Sequence, residues 1–149
     1  MGAKVKVFDT NIWISIFMEK ILGEEFSATL RKGNIEIYTS EPILKEISKV
    51  LVYPKIAELL ELSGISVREI LQTILRNSTI VRPEFKLNII KEDLEDNRML
   101  DCALQAKADL IVSGDKHLLK LRNFKNTKIT TPREFLDTVK KAERNEKGL

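Results

Sequence analysis

Apolar positions along this chain change their period repeatedly, and each change marks an element. Val5, Val7 and Phe8 form a short apolar strand that stops at Asp9-Thr10-Asn11. Thr10 or Asn11 can cap a helix running through Phe17. Glu24 to Lys32 predicts a second helix, stopped by Gly33. Ile35 to Thr39 alternates as a strand does. Ser40 then opens a helix that aligns Ile43, Leu44, Ile47, Val50 and Leu51 on one stripe. Pro54 ends or restarts it, and Lys55 to Leu62 is helical again. Ser66 and Glu69 form a capping box. Val67, Ile70, Leu71, Ile74 and Leu75 follow at the spacing of a buried helix face. Thr79 to Val81 predicts a brief strand, Asp96 to Ala106 a helix, and Leu110 to Val112 a strand ending at Ser113-Gly114-Asp115. A short helix over His117–Leu121 and a strand over Lys128–Thr130 complete the series. Thr131 and Glu134 cap the last helix, with Pro132 at its first position. Strands and helices alternate, so the fold class is α/β with a mainly parallel sheet.

Composition narrows the field. The 149 residues suit one domain, placed at 1–140 with a charged tail at 141–149. With 25 Lys+Arg against 22 Asp+Glu, the net charge of +3 does not by itself announce a nucleic-acid binder. Cys102 and His117 are each the sole residue of their kind. This excludes an intramolecular disulfide, a multi-cysteine zinc site and a His-pair metal site. Cys102 lies among small apolar residues and reads as a packed thiol. No apolar run approaches the ~20 residues of a membrane span. Met1 to Val7 lacks a signal-type apolar stretch, and the expectation is a cytoplasmic protein.

The chemistry lies in the acids. Asp9 and Asp115 each follow an apolar strand, where parallel α/β sheets bind ligands, although either alone serves equally as a cap or turn residue. At ~100° per residue, Asp96 falls within the apolar arc of its helix and Asp101 roughly opposite. Glu46 borders the apolar stripe of its own helix. Two like charges ~4 Å apart repel by about 4 kcal/mol at an effective dielectric of 20. Four converging carboxylates therefore call for a counter-ion. Oxygen donors select hard cations, so Mg²⁺ or Mn²⁺ is expected, and such a site suits phosphodiester hydrolysis. Lys116, Lys120, Arg122, Lys125 and Lys128 form an acid-free basic run beside Asp115, which reads equally as an RNA backbone track or as an ordinary basic surface. His117 could approach phosphate there or serve as a surface or cap residue. Glu92, Asp93 and Glu95 read as a solvated turn.

Five blocks, in order, resemble the PIN-domain nucleases. Val7-Phe8-Asp9-Thr10-Asn11 resembles their opening signature, and Ser40-Glu41-Pro42-Ile43-Leu44-Lys45-Glu46-Ile47 their second block. Glu95-Asp96-Asn97-Arg98-Met99-Leu100-Asp101-Cys102-Ala103 resembles the third, with Glu95 in place of an Asp. The segment Ala108 to Leu119 resembles the fourth, with Ser113 standing for the usual Thr. Ile129 to Leu136 resembles the closing block. The resemblance covers about Val5 to Leu136. It implies a PIN fold, with a central parallel sheet of about five strands between helices. It also implies a metal-dependent ribonuclease of the VapC toxin type, leaving 5′-phosphate and 3′-hydroxyl ends, often a homodimer and often inhibited by an antitoxin. By position the catalytic and metal-site residues are Asp9, Glu46, Asp96 and Asp115, supported by Asn11, Ser113 and Asp101. Many relatives carry a further acid where His117 stands. The alternative reading is a non-catalytic PIN module that binds RNA or a protein partner. The Asp-x-Asp-x-Thr pattern of haloacid dehalogenase phosphatases is absent after the first strand, as is a Walker-type phosphate loop.

Overall fold

The centre of the sheet is strand β1 (Lys4–Phe8), flanked by β2 (Ile35–Ser40) and β4 (Leu110–Val112). Successive strand residues face opposite sides. Val7 and Phe8 are 0% and 1% exposed, so both faces of β1 are covered; Ile111 and Val112 of β4 are likewise buried on both sides. The computed structural model describes residues 4–32 and 35–147. Gly33, expected to stop the second helix, lies outside them, as do residues 148 and 149 of the expected tail.

After β1 come α1 (Thr10–Met18) and α2 (Lys20–Arg31), which begins four residues earlier than expected. Then β2 leads into α3 (Glu41–Leu51), α4 (Pro54–Ser63), α5 (Val67–Asn77) and β3 (Ser78–Val81). Residues 82–95 have no regular structure and lead to α6 (Asp96–Ala106) and β4. The chain closes with α7 (Lys116–Leu121), β5 (Asn123–Phe124), β6 (Thr127–Thr130) and α8 (Pro132–Lys147). Most of the charged segment from residue 141 is therefore helical. The sheet order is β3-β2-β1-β4-β6-β5. The first five of these strands are mutually parallel. The sixth, β5, exceeds the expected count; it pairs antiparallel with β6 through only two residue pairs.

The cores follow from the strand sides. Phe8 meets Trp13 of α1, Phe26 of α2 and Phe135 of α8 with ring centroids 5.3, 5.4 and 5.8 Å away. Helix α6 packs across β1, β2, β3 and β4, contributing fully buried Leu100, Cys102 and Ala103. Burial pushes the Cys102 thiol up to about 12, so it stays a packed, unreactive group. Caps mostly follow expectation: Ser66 Oγ accepts from Glu69 N at 3.1 Å, and Thr131 Oγ1 from Glu134 N at 3.2 Å. The first helix differs, because its cap is Asp9, whose Oδ1 accepts from Thr10 N at 2.7 Å. Among the described residues, no helix is long and apolar enough to cross a membrane.

Helices α1 and α2 approach through Gly23. A Cβ there would overlap the backbone carbonyl oxygen of Ile16. Backbone cannot swing aside as a side chain can, so Gly23→Ala should force the hairpin apart. The expected cost is ~1–3 kcal/mol, as for other overpacked sites, read as a lower midpoint in thermal melting.

Candidate metal centre

Parallel strands deliver their C-terminal ends to one edge, and here that edge gathers acids. Asp9 immediately follows β1. Its amide donates to Val112 O of β4 at 3.0 Å, which locks the two strand ends together. Ser113, just beyond β4, is fully buried. Its hydroxyl donates to Asp9 Oδ2 at 2.6 Å and accepts from Asp115 N at 2.9 Å. One hydroxyl thus fixes the spacing between two acids 106 positions apart in sequence. Asp115 then caps α7, its Oδ1 accepting from His117 N at 2.7 Å.

Asp96 enters from the first turn of α6 and is 6% exposed. Asp93 lies one turn earlier, where its carbonyl accepts from Asp96 N at 3.3 Å. Ligand atoms of Asp93, Asp96, Asp115 and His117 all lie within 4.8 Å of one another. Of the four acids expected from sequence, Asp96 and Asp115 belong to this tight group. Asp9 adjoins it through Ser113 and feels the charges of Asp115 and Asp93. Glu46 lines the same cavity from α3; its hydrogen-bonding acidic neighbour is Glu95, and it also feels the charge of Asp93.

Several of these acids are held above the ordinary carboxylate range. Burial foremost, then the charges of Asp115 and Asp93, push Asp96 up to about 8. Burial also raises Asp9, against the lowering effect of the Ser113 and Thr10 hydrogen bonds. A hydrogen bond with Glu95, followed by burial, pushes Glu46 up to about 7; Lys49 works in the opposite direction. Asp96 Oδ2 and His117 Nδ1 are buried with no hydrogen-bond partner. Hard oxygen donors, one imidazole and an orphaned carboxylate oxygen fit a divalent cation.

The cavity is about 740 Å³ and is lined by Asp9, Asn11, Glu46, Asp93, Asp96 and Asp115, among others. Asn11 is exposed at its edge. The cations along its wall are Lys45 and Lys49 of α3, Lys86 of the 82–95 segment, and Arg98 of α6. Lys116, Lys120 and Arg122, expected as an RNA track, are exposed but not part of this wall. His117, grouped with them by sequence, instead turns into the acid cluster.

Two further expectations need correction. Asp101, expected among the supporting site residues, is 3% exposed and held by other groups. Its Oδ1 accepts from Leu87 N at 2.7 Å, and its Oδ2 lies 2.9 Å from Arg98 Nε. It anchors the 82–95 segment and is not among the cavity-lining residues. Asp93, read as part of a solvated turn, belongs to the cluster. It precedes the helix in an irregular segment, so no periodicity in the sequence marks it.

Residues 6–117 match the family profile described as the PIN domain. No curated protein matches the chain.

Proposed function

The chain belongs to the PIN-domain family, whose members are generally metal-dependent nucleases, and from that premise we propose that it is a Mg²⁺- or Mn²⁺-dependent endoribonuclease. The observation that carries the proposal is the buried, unpartnered Oδ2 of Asp96 within a knot of carboxylates at the sheet edge. Leaving a buried carboxylate unpaired among like charges is costly, and a cation removes that cost. Asp93, Asp96 and Asp115 would hold the ion, with Asp9 and Glu46 at its margin. When bound, a divalent cation supplies neutralisation of phosphate charge and activation of water for hydrolysis.

The remaining work falls to the chain's own side chains. Ser113 holds Asp9 and Asp115 at fixed separation. Glu46, with Glu95 beside it, can take and release a proton near neutral pH. Lys45, Lys49, Lys86 and Arg98 place positive charge along the cavity wall, where a polyanion would run.

Labelled RNA should be cut when Mg²⁺ or Mn²⁺ is present, and not in EDTA. Asp9→Asn should reduce cleavage at least ~100-fold, the scale of losing one charge-positioning group. Undiminished cleavage by Asp9→Asn would remove that residue from the site. Failure of the wild type to cleave any RNA or to bind metal would favour the non-catalytic module.

The resemblance to VapC-type toxins supports a cytoplasmic toxin paired with an antitoxin. Growth arrest on expression, relieved by Asp9→Asn, is the expected behaviour. A homodimer is supported by exposed Val52, Tyr53, Leu59 and Leu62 around α4. Sedimentation of the purified chain tests it.

A further inference from the structure

We propose that His117 is a nitrogen ligand of the metal centre and that it makes the site prefer Mn²⁺ to Mg²⁺. This rests on the metal-site reading above and adds the identity of one donor and its consequence for the ion. Three observations carry it. His117 Nδ1 lies 3.5 Å from Asp115 Oδ1 and 3.9 Å from Asp96 Oδ2. Both Nδ1 and Asp96 Oδ2 are buried, and neither has a hydrogen-bond partner. The backbone of His117 is held in place because its amide donates to Asp115 at 2.7 Å.

These separations suit a shared ion better than a direct pair. Donors about 2.1 Å from one cation sit about 3–4 Å apart. A direct imidazole–carboxylate hydrogen bond would bring the heavy atoms to about 2.7–2.9 Å. The ring is close enough to coordinate with the carboxylates, and it is not engaged with them.

A nitrogen donor changes which ion is favoured. Mg²⁺ takes oxygen ligands and gives up its waters reluctantly. Imidazole is a softer donor than carboxylate and best suits the later first-row ions. Mn²⁺ is a hard ion that takes carboxylates as Mg²⁺ does, but as a first-row transition ion it accepts a nitrogen donor more readily than Mg²⁺. Three carboxylates with one imidazole therefore favour Mn²⁺ over Mg²⁺.

The sole histidine makes the test clean. The metal-free full-length protein is titrated with Mn²⁺ at pH 8 by electron paramagnetic resonance, with and without competing Mg²⁺. Pulsed measurement on the Mn²⁺ form should show one nitrogen coupling, which changes isotope signature when histidine is ¹⁵N-labelled. Mn²⁺ should bind at least ~10-fold more tightly than Mg²⁺, and His117→Asp, which restores an oxygen donor, should narrow that ratio several-fold. Bound Mn²⁺ without nitrogen coupling overturns the assignment while leaving the carboxylate site intact. No Mn²⁺ binding at all overturns both this assignment and the metal-site reading. The coupling is read on the wild type, so it does not depend on a variant folding.

Discussion

Asp96→Asn should abolish metal-dependent cleavage and, in the absence of metal, make the protein more stable at high pH. The two effects share one cause. Burial and the charges of Asp115 and Asp93 push the Asp96 carboxyl up to about 8, from 3.8. A carboxyl whose folded-state pKa is raised favours folding in its protonated form. That contribution is present in full below the ordinary value of 3.8 and is lost as pH rises through about 8. Asparagine has the shape of the protonated acid and no charge to lose. In metal-free buffer the wild-type melting temperature should fall from about pH 4 to about pH 8, and the variant should fall less. Glu46, raised to about 7, keeps some slope in both proteins. At pH 9 the variant should melt roughly 5 °C higher, the shift that ~1–2 kcal/mol produces in a domain of this size. Saturating Mn²⁺ reverses the order, because binding to the folded state stabilises the wild type more. RNA cleavage should fall at least ~100-fold. A variant that melts lower than wild type at pH 9 in EDTA would show that Asp96 is not held among unneutralised charges.

The parts of the site that were legible in the sequence lie on regular elements. The Val7-Phe8 pair marks a strand buried on both faces, so the acid behind it had to emerge at a strand end. The same logic placed Asp115. Asp96 was legible because its angle put a carboxylate inside an apolar arc. The same angle sets Asp101 opposite the apolar arc but does not reveal what covers it there. A helix's polar face predicts solvent only when nothing covers it, and here the covering segment is irregular and has no period to read. Asn97, Asp101 and Gln105 stand four residues apart on α6 and accept from the backbone amides of Ile89 and Ile90, Leu87, and Glu84. They form a polar rail for the 82–95 segment. Asp93 was missed for the same reason, since its position depends on that rail. The basic wall of the cavity is not legible in the sequence because Lys45, Lys49 and Lys86 come from remote segments, whereas the run from Lys116 to Lys128 lies along α7 and the small β5–β6 ribbon.

Asn97→Ala should be among the most destabilising single changes in the molecule. Asn97 is fully buried. Its Oδ1 accepts from Ile89 N and Ile90 N, both at 2.8 Å. Its Nδ2 donates to Ile90 O at 2.8 Å and Leu94 O at 3.3 Å. Alanine leaves these backbone groups without their partner, and each buried group left unsatisfied costs ~1–3 kcal/mol. Water entering beside the loosened segment recovers part of this, so a net loss of ~3–5 kcal/mol is expected. The melting temperature should drop by roughly 10 °C. Asn97→Asp should rescue little, because a carboxylate accepts the two amides but faces the Ile90 carbonyl with no hydrogen to donate. The damage should be local before it is global. Amides of Ile89 and Ile90 should exchange with solvent at the rate of segment opening, while those of Val7 and Ile111 in the sheet follow global unfolding. Mn²⁺ affinity should fall as well, since the rail that Asn97 begins is what carries Asp93 to the cluster. Unchanged exchange at Ile89 and Ile90 would mean that the segment is held without Asn97, and the placement of Asp93 would need another cause.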